Sequence, residues 1–400
     1  MKFLRNTLDK VKHDFEKGGK WEKYYYVYEA LDTFAFVPNT TTSAKGAQIR
    51  DAVDMKRLMM TVIISMIPAL LFGIYNVGHQ HFIAIGEQAE FWDKVLIGVQ
   101  QVLPVIVVSY AAGLGVEFIF ATVRRHPVNE GFLVTGLLIP LVMPPDIPLW
   151  QVAVATIFAV LIGKEAFGGT GMNVLNVALT ARAFLYFAYP VNMAGEVWTY
   201  LPEGAQTVAG YSGATPLSIA ANSATSGENA VAALNNFGSG WFDGMYSVSN
   251  LFLGFIPGSV GETSVLMCLL GALILVFTGV GSWKIIVSVF AGAYGMGLFL
   301  NVVGGNAYVM LPAHYHLLMG GLAFGAVWMA TDPVTAAQTE TGKWIYGFLI
   351  GLFTVLIRVF NPAYPEGIML AILLMNVFAP LIDYFVVNAN KKRRIQRATV

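Results

Sequence analysis

Long apolar runs constrain the fold of this chain more than any other feature of its sequence. A helix that spans a bilayer needs about 20 apolar residues, with a range of about 17–25. Spans are therefore predicted near residues 58–77, 95–121, 262–282, 283–304, 312–331, 343–360 and 366–388. Shorter or interrupted apolar segments at residues 130–143, 150–165 and 173–189 bring the number to ten. The expected fold is an all-α integral membrane protein.

The composition agrees with this class. Only 12% of the residues are charged and 56% are hydrophobic, whereas soluble domains carry about 25% charged residues. The first 57 residues contain no apolar run, so no signal peptide is expected there. The single cysteine, Cys268, is interpreted as a packing residue, because one thiol cannot by itself hold an iron–sulfur cluster or a disulfide framework.

Basic residues are distributed one-sidedly along the chain. Of the 24 Lys and Arg residues, 16 lie in residues 1–57 or 391–400. With ten spans and both termini cytoplasmic, 21 of the 24 fall on the inner side, in accord with the positive-inside rule. The insertion at residues 190–261 contains neither Lys nor Arg and is predicted to be periplasmic. The expected topology therefore has many spans, with both termini inside and the insertion outside.

The two hydrophobic halves correspond to each other. Each has five predicted spans with an acid-and-proline break, at Pro144–Asp146 in the first half and at Asp332–Pro333 in the second. An odd number of spans per repeat gives the two halves opposite orientations, as in many transporters. Two unrelated helices that each end at proline are the alternative. The predicted parts are a cytoplasmic arm (1–57), a first five-helix repeat (58–189), the insertion (190–261), a second five-helix repeat (262–388) and a basic tail (389–400).

Ionisable residues in or beside the spans are candidates for function, because charge within a membrane is costly. Glu130, Glu165, Asp332 and Asp383 fall near the predicted inner face, where carboxylates could collect sodium. Ion pairing or snorkelling to the interface is the alternative for each. Arg182 is predicted either to hold a phosphate or carboxylate, or to pair with an acid of the chain.

Several other motifs are excluded as sites. The loop 168–173 is rich in glycine but follows a helix and lacks the dinucleotide-binding spacing, so it is interpreted as a tight turn. His314 and His316 lie on different faces of a helix, which argues against a metal site. No catalytic triad or nucleotide-binding motif is found in the sequence. No metal site and no catalytic residues are predicted.

A polar turn at Tyr211–Thr215 lies inside the insertion. Pro216 biases Thr215 toward an extended conformation, so its hydroxyl is expected to stay clear of any helical surface. In such a turn, substitution of Thr215 is expected to change stability by about 0.5 kcal/mol or less. By itself the turn has an ordinary alternative, a link between two loops.

The resemblance to a known family depends on several stretches taken together. They are Leu31–Phe34 with the Thr-rich turn that follows, Arg50–Arg57, His126–Gly131, Lys164–Asn173 and Ser212–Thr215. With these motifs the chain resembles the B subunits of the bacterial sodium-translocating NADH:quinone reductases, over nearly all of its 400 residues.

The resemblance implies a cofactor and a place for it. In that family the Thr that closes Ser-Gly-Ala-Thr carries FMN through a phosphoester bond, which implies Thr215 here, within Ser212, Gly213, Ala214 and Thr215. It also implies a non-covalent riboflavin, a quinone site toward the inner face, and a fold similar to urea transporters. One position departs from the usual motif, since Ala209 stands where an Asp is common.

The same resemblance implies a role in a complex. Partner subunits with flavin and iron–sulfur centres would oxidise NADH, and electrons would pass through FMN to ubiquinone, coupled to Na⁺ export. Two alternatives stay open: the flavinylated D subunit of an Rnf-type ferredoxin:NAD oxidoreductase, and a cofactor-free channel of urea-transporter type. The long arm at 1–57 argues against the Rnf subunit, and a covalent flavin would exclude the channel.

Overall fold

Every regular element is helical in the part of the chain that the computed structural model describes, which is residues 2–36, 55–128, 131–193, 197–202, 204–238, 242–361 and 366–398. The helices are α1 (Lys2–Phe15), α2 (Tyr25–Ala35), α3 (Met55–Ile85), α4 (Phe91–Arg124), α5 (Gly131–Leu141), α6 (Leu149–Gly163), α7 (Val177–Ala188), α8 (Pro216–Ser226), α9 (Ala230–Asn235), α10 (Val248–Leu253), α11 (Val265–Phe277), α12 (Trp283–Val303), α13 (Ala313–Leu318), α14 (Leu322–Phe324), α15 (Glu340–Phe360) and α16 (Ile368–Ala398).

Within those ranges, six helices are long and apolar enough to cross a membrane: α3, α4, α6 with the short turn after it, α12, α15 and α16. Three more apolar helices, α5, α7 and α11, are shorter, with 11, 12 and 13 residues. A helix of 13 residues rises only about 20 Å, less than the thickness of the apolar core. The membrane class is confirmed, and helices occur at all ten predicted places.

The segment predicted as a span at 312–331 differs most from the prediction. Helix α13 ends at Leu318, α14 begins at Leu322, and a π-helix continues from Gly325 to Met329. Gly320 lies between them with φ +66°, in the left-handed region that favours glycine. Two adjacent glycines therefore break a segment whose hydropathy alone predicts one continuous helix.

Several of the contacts within the first five apolar helices recur in the second five, whereas the α3–α4 contact has no comparable α11–α12 counterpart. The pairs α4–α6, α6–α7, α4–α5 and α3–α5 correspond to α12–α15, α15–α16, α12–α13 and α11–α14. The contacts α3–α11 and α7–α16 join the two sets. At the α12–α15 crossing, a Cβ on Gly292 would lie 2.1 Å from the Phe348 oxygen, so only glycine allows these backbones to approach.

Two apolar cores are present among the described residues. The larger one lies among the membrane helices and contains Phe132, Trp328 and Tyr346. The second joins the insertion to the segment around α13, through residues such as Tyr246 and Met319. The insertion is therefore packed onto the broken segment through a core that both contribute to.

The N-terminal arm begins as a helical hairpin. The Arg5 guanidinium donates to the Asp32 carboxylate at 2.9 Å, and the rings of Phe15 and Tyr28 stack at 5.4 Å. Helix α2 also contacts α4. The two helices of the arm thus pack on each other and on the membrane part.

Candidate functional site

Thr215 is the N-cap residue of α8. Its backbone is extended, with φ −74° and ψ 156°, as Pro216 predicts. Its Oγ1 accepts a hydrogen bond from the Ser218 amide at 3.3 Å. The side chain is half-buried. The prediction that this hydroxyl stays clear of any helix is wrong, because an N-cap side chain satisfies one of the free amides of the first turn.

Aromatic phenols hold the chain on either side of this residue. The Tyr246 hydroxyl donates to the Ala214 carbonyl, and the Tyr211 and Thr199 hydroxyls lie 2.8 Å apart. Burial raises the pKa of Tyr211 to about 12 and raises the pKa of Tyr246 well above its usual value. Both phenols therefore stay neutral at physiological pH and act as hydrogen-bonding anchors.

The other residues of the predicted motif have conformational roles. Gly213 has φ +68°, which favours glycine, and Ala214 is buried with its amide 3.4 Å from the Ser212 hydroxyl oxygen. Ala209 precedes Gly210, which also has positive φ, and the neighbouring Val208 amide donates to the Ala84 carbonyl at 2.9 Å. The turn is thereby attached to the end of α3.

Arg182 pairs with acids of the chain, which was one of the two roles predicted for it from the sequence. Its guanidinium donates to Glu262 at 2.7 Å and to Glu366 at 2.6 Å, and the Arg182 side chain is only 2% exposed. Glu262 lies just before α11 and Glu366 just before α16. The pairs therefore join α7 to the second set of helices.

Glu165 is buried and lies 3.1 Å from the guanidinium of Arg124. One residue earlier, Lys164 pairs with Glu117 of α4, and both of these side chains are buried. The alternative offered for Glu165, that it forms an ion pair, agrees with the structure. These pairs fix the end of α6 against α4.

The remaining candidate acids have separate surroundings. Asp332 accepts from the Val334 amide and the Thr335 hydroxyl, both at 3.1 Å. Asp383, on α16, accepts from the Gln338 and Thr339 amides at 2.6 and 3.0 Å, ahead of α15. Glu130 lies outside the described residues. The carboxylates of Glu165, Asp332 and Asp383 each have a different set of bonding partners.

Two cavities lie at the predicted inner end of the molecule. One, of about 110 Å³, lies between the two helix sets and is lined by Asn173, Trp328 and Asp332 among others. The second, of about 150 Å³, is lined by Glu117, Glu165 and their neighbours. Lys164 and Thr170 line both cavities. The buried Thr170 hydroxyl has no hydrogen-bond partner within the described structure.

Metal-binding geometry is not found where the structure is described, since no group of three or more His, Cys, Asp or Glu side chains comes together there. His314 is exposed, whereas His316 is buried. The sequence interpretation missed Glu262, Glu366 and Arg358 as partners within one cluster. Their intramembrane position was the available signal, but only the fold shows which charges meet.

These features define a class: a helical integral membrane protein with a broken segment, buried cross-helix ion pairs and a packed polar insertion. Residues 42–392 match the family described as NQR2, RnfD, RnfE. The chain belongs to this family, and the resemblance drawn from the sequence motifs is confirmed.

Three curated relatives are each named as the B subunit of a Na(+)-translocating NADH-quinone reductase. The protein of Ectopseudomonas mendocina (strain ymp) is 48% identical, and the alignment covers 98% of this chain and 99% of that one. The protein of Chromohalobacter salexigens is 46% identical over 98% and 96% of the two chains. The protein of Azotobacter vinelandii is 45% identical over 98% and 99%. The similarity therefore extends over the insertion as well as the membrane helices.

Proposed function

We propose that this chain is the flavin-carrying membrane subunit of a sodium-exporting NADH:quinone oxidoreductase, with FMN bound through a phosphoester to Thr215. The observation that carries the proposal is the position of that hydroxyl at the start of α8, in a chain similar along its length to B subunits of such reductases. NADH oxidation belongs to partner subunits in this proposal.

The surroundings of Thr215 suit a phosphoester. The Thr215 oxygen is half-buried, and it already faces the Ser218 amide at the N-terminus of an 11-residue helix. The positive end of the helix dipole and its free amides stabilise a phosphate at such a place. Pro216, the first helical residue, has no amide hydrogen to leave unsatisfied. The protein thus supplies an alcohol and a favourable electrostatic environment together.

Bound FMN would supply electron transfer, which no side chain of this chain provides. The residues around it hold and orient the attachment point. Tyr246 fixes the carbonyl just before Thr215, and the Tyr211–Thr199 contact fixes the turn from the other side. Because both phenols stay neutral, they introduce no charge beside the phosphate.

A non-covalent riboflavin is proposed for the cavity between the two helix sets. Its walls are largely apolar, with the Trp328 ring on one side and the buried, unpartnered Thr170 hydroxyl on another. An isoalloxazine ring would enter this cavity with its polar edge toward Thr170. The polar edge would then satisfy Thr170.

The membrane architecture is proposed to be two inverted five-helix repeats, similar to urea transporters, with both termini cytoplasmic. The recurring helix contacts support the repeat, and the one-sided basic residues support the orientation. Sodium is proposed to enter near Glu130, Glu165, Asp332 and Asp383, with ubiquinone bound toward the same face. The Rnf-type D subunit shares the matched family, but the named relatives cited above favour the reductase.

Covalent flavin on the denatured protein tests the proposal. The native chain should give a fluorescent band in a denaturing gel, and Thr215→Val should give none, because valine has no hydroxyl to form the phosphoester. Ser212→Ala should keep the band, because in this proposal FMN is bonded to Thr215. A urea-type channel would give no band in any of the three. Fluorescence of undiminished strength in Thr215→Val would contradict the assignment.

A further inference from the structure

The glycine break between α13 and α14 lies between the turn that carries Thr215 and a buried charge cluster. A Cβ on Gly320 would lie 2.5 Å from the Leu217 side chain, two residues after Thr215. A Cβ on Gly321 would lie 2.4 Å from a carboxylate oxygen of Glu262. Both glycines are thus in tight contact, one with the first turn of α8 and the other with the cluster.

Arg358 of α15 binds the end of α13. Its guanidinium donates to the carbonyls of His316 at 2.6 Å and Met319 at 2.9 Å, and to the Glu366 carbonyl at 2.8 Å. The last carbonyls of a helix have no partner within it, so this side chain satisfies groups that the break leaves free. Arg358 is fully buried.

Arg182 completes the cluster through the carboxylates of Glu262 and Glu366, at 2.7 and 2.6 Å. Two arginines and two glutamates therefore meet where α7, α11, α15 and α16 approach the break, and their charges balance. Removing one member of a buried charge set leaves another uncompensated, which is strongly unfavourable. The cluster therefore selects one arrangement of the broken segment.

We propose that Arg182, Arg358, Glu262 and Glu366 are positioning residues for the flavin-bearing turn. They fix the Gly320–Gly321 break, and the break in turn supports Leu217 and the first turn of α8. The proposal rests on the proposed function only in that Thr215 carries the flavin. Its consequence is that the attachment point keeps a fixed position relative to the membrane helices, as electron transfer between fixed centres requires.

The contact between the glycine break at Gly320 and the first turn of α8 is tested with a nitroxide reporter in the assembled complex. The label is placed on Ser218→Cys, in a Cys268→Ala background, and its mobility is measured by electron paramagnetic resonance. Gly320→Ala should add a mobile component to the spectrum, because residue 320 has a left-handed φ and the new methyl collides with Leu217. Leu217→Ala alone should also add a mobile component, because it removes the side chain through which the break supports the turn.

The charge cluster is tested with the same reporter. Arg358→Gln should also mobilise the label, while the matched control Glu117→Gln, another buried paired acid that lies away from the break, should leave the spectrum unchanged. If Arg358→Gln does not assemble, Arg358→Lys, which keeps the positive charge but not the three hydrogen bonds of the guanidinium, is measured in its place. An immobile label in the Arg358 variant would overturn the positioning role of the cluster.

The nitroxide signal does not depend on the flavin. The experiment can therefore contradict the positioning role without contradicting the proposed function, and the reverse. A native chain without covalent flavin contradicts the proposed function, whatever the label shows. A flavin-bearing chain whose label stays immobile in the variants contradicts the positioning role alone.

Discussion

Several buried charged side chains pair with distant parts of the chain. Lys164 of the α6 end pairs with Glu117 of α4, and Arg182 of α7 pairs with acids that precede α11 and α16. Buried charges persist in proteins only where such partners compensate the lost hydration. At the residue scale, the cost of intramembrane charge is therefore balanced by contacts between distant parts of the chain.

Asp383 offers a test of the sodium pathway at this scale. Asp383→Asn should raise the sodium concentration needed for half-maximal quinone reduction, because a carboxylate near the inner entrance loses its charge. The two Asp383 oxygens accept separately from the Gln338 and Thr339 amides. Asn keeps only one of these acceptors, so assembly of the variant is verified before its sodium dependence is read. Steady-state quinone reduction against sodium concentration measures the effect.

Glu340→Gln is the matched control, since Glu340 is an exposed carboxylate at the same end, paired with Lys284 and Lys343. Its sodium dependence should equal that of the native complex. An unchanged dependence in Asp383→Asn would show that Asp383 only anchors the start of α15.

Sequence reasoning identified Arg182 as a candidate but not the residues that pair with it. Arg182 was predicted either to bind an anion or to pair with an acid, and Glu262 was not singled out at all. The two are 80 positions apart, and no local pattern encodes a contact of that range. Which acid meets which cation depends on helix packing, and that is a property of the whole fold.

At the element scale, the predicted spans located the helices, while their ends and breaks needed more than hydropathy. The span predicted at 262–282 is helical only over Val265–Phe277, because Ser264 caps its start and Gly279 takes φ +72° soon after its end. Such signals are readable in a sequence, but glycine is also common inside membrane helices. Its meaning therefore depends on the fold.

The cap of α8 leads to a prediction about stability. Thr215→Ala should lower the free energy of unfolding by about 0.5–2 kcal/mol, because the side-chain acceptor for the Ser218 amide is lost. This exceeds the surface-type change of about 0.5 kcal/mol or less expected from sequence alone. Thr215→Ser retains the acceptor and should change stability little.

The comparison is made on protein produced without flavin attachment, so that the loss of cofactor does not contribute. Thermal unfolding in detergent, followed by circular dichroism, gives the order of the midpoints. Equal midpoints for the native chain and Thr215→Ala would contradict the capping role.

At the scale of the whole molecule, two features bear on the architecture. Helix contacts of the first set recur in the second set, and basic residues lie on one predicted side of the membrane. The correspondence of α4–α6 with α12–α15 is a packing relation, whereas the correspondence first predicted was of proline breaks in the sequence. The contact pattern supports a repeat, and the opposite orientation of its two halves stays a prediction. The association of the insertion with the break at Gly320 had no sequence signal.

The orientation leads to a labelling prediction. Single cysteines at Ser226 and at the C-terminus, in a Cys268-free background, are exposed to a membrane-impermeant reagent in intact cells. Ser226, at the end of α8 in the insertion, should be labelled, because the insertion lacks basic residues and belongs outside. The C-terminal cysteine should be labelled only after lysis, and the reverse pattern would contradict the orientation.

Mass spectrometry of the peptide spanning Ala209–Ala220 from the purified native complex locates the flavin. We expect the mass of FMN, less one water, on Thr215, since this hydroxyl faces the first turn of α8. Ser212, three residues earlier in the same peptide, should be unmodified and serves as the internal comparison. An adduct on Ser212, or a peptide without any flavin, would contradict attachment at Thr215.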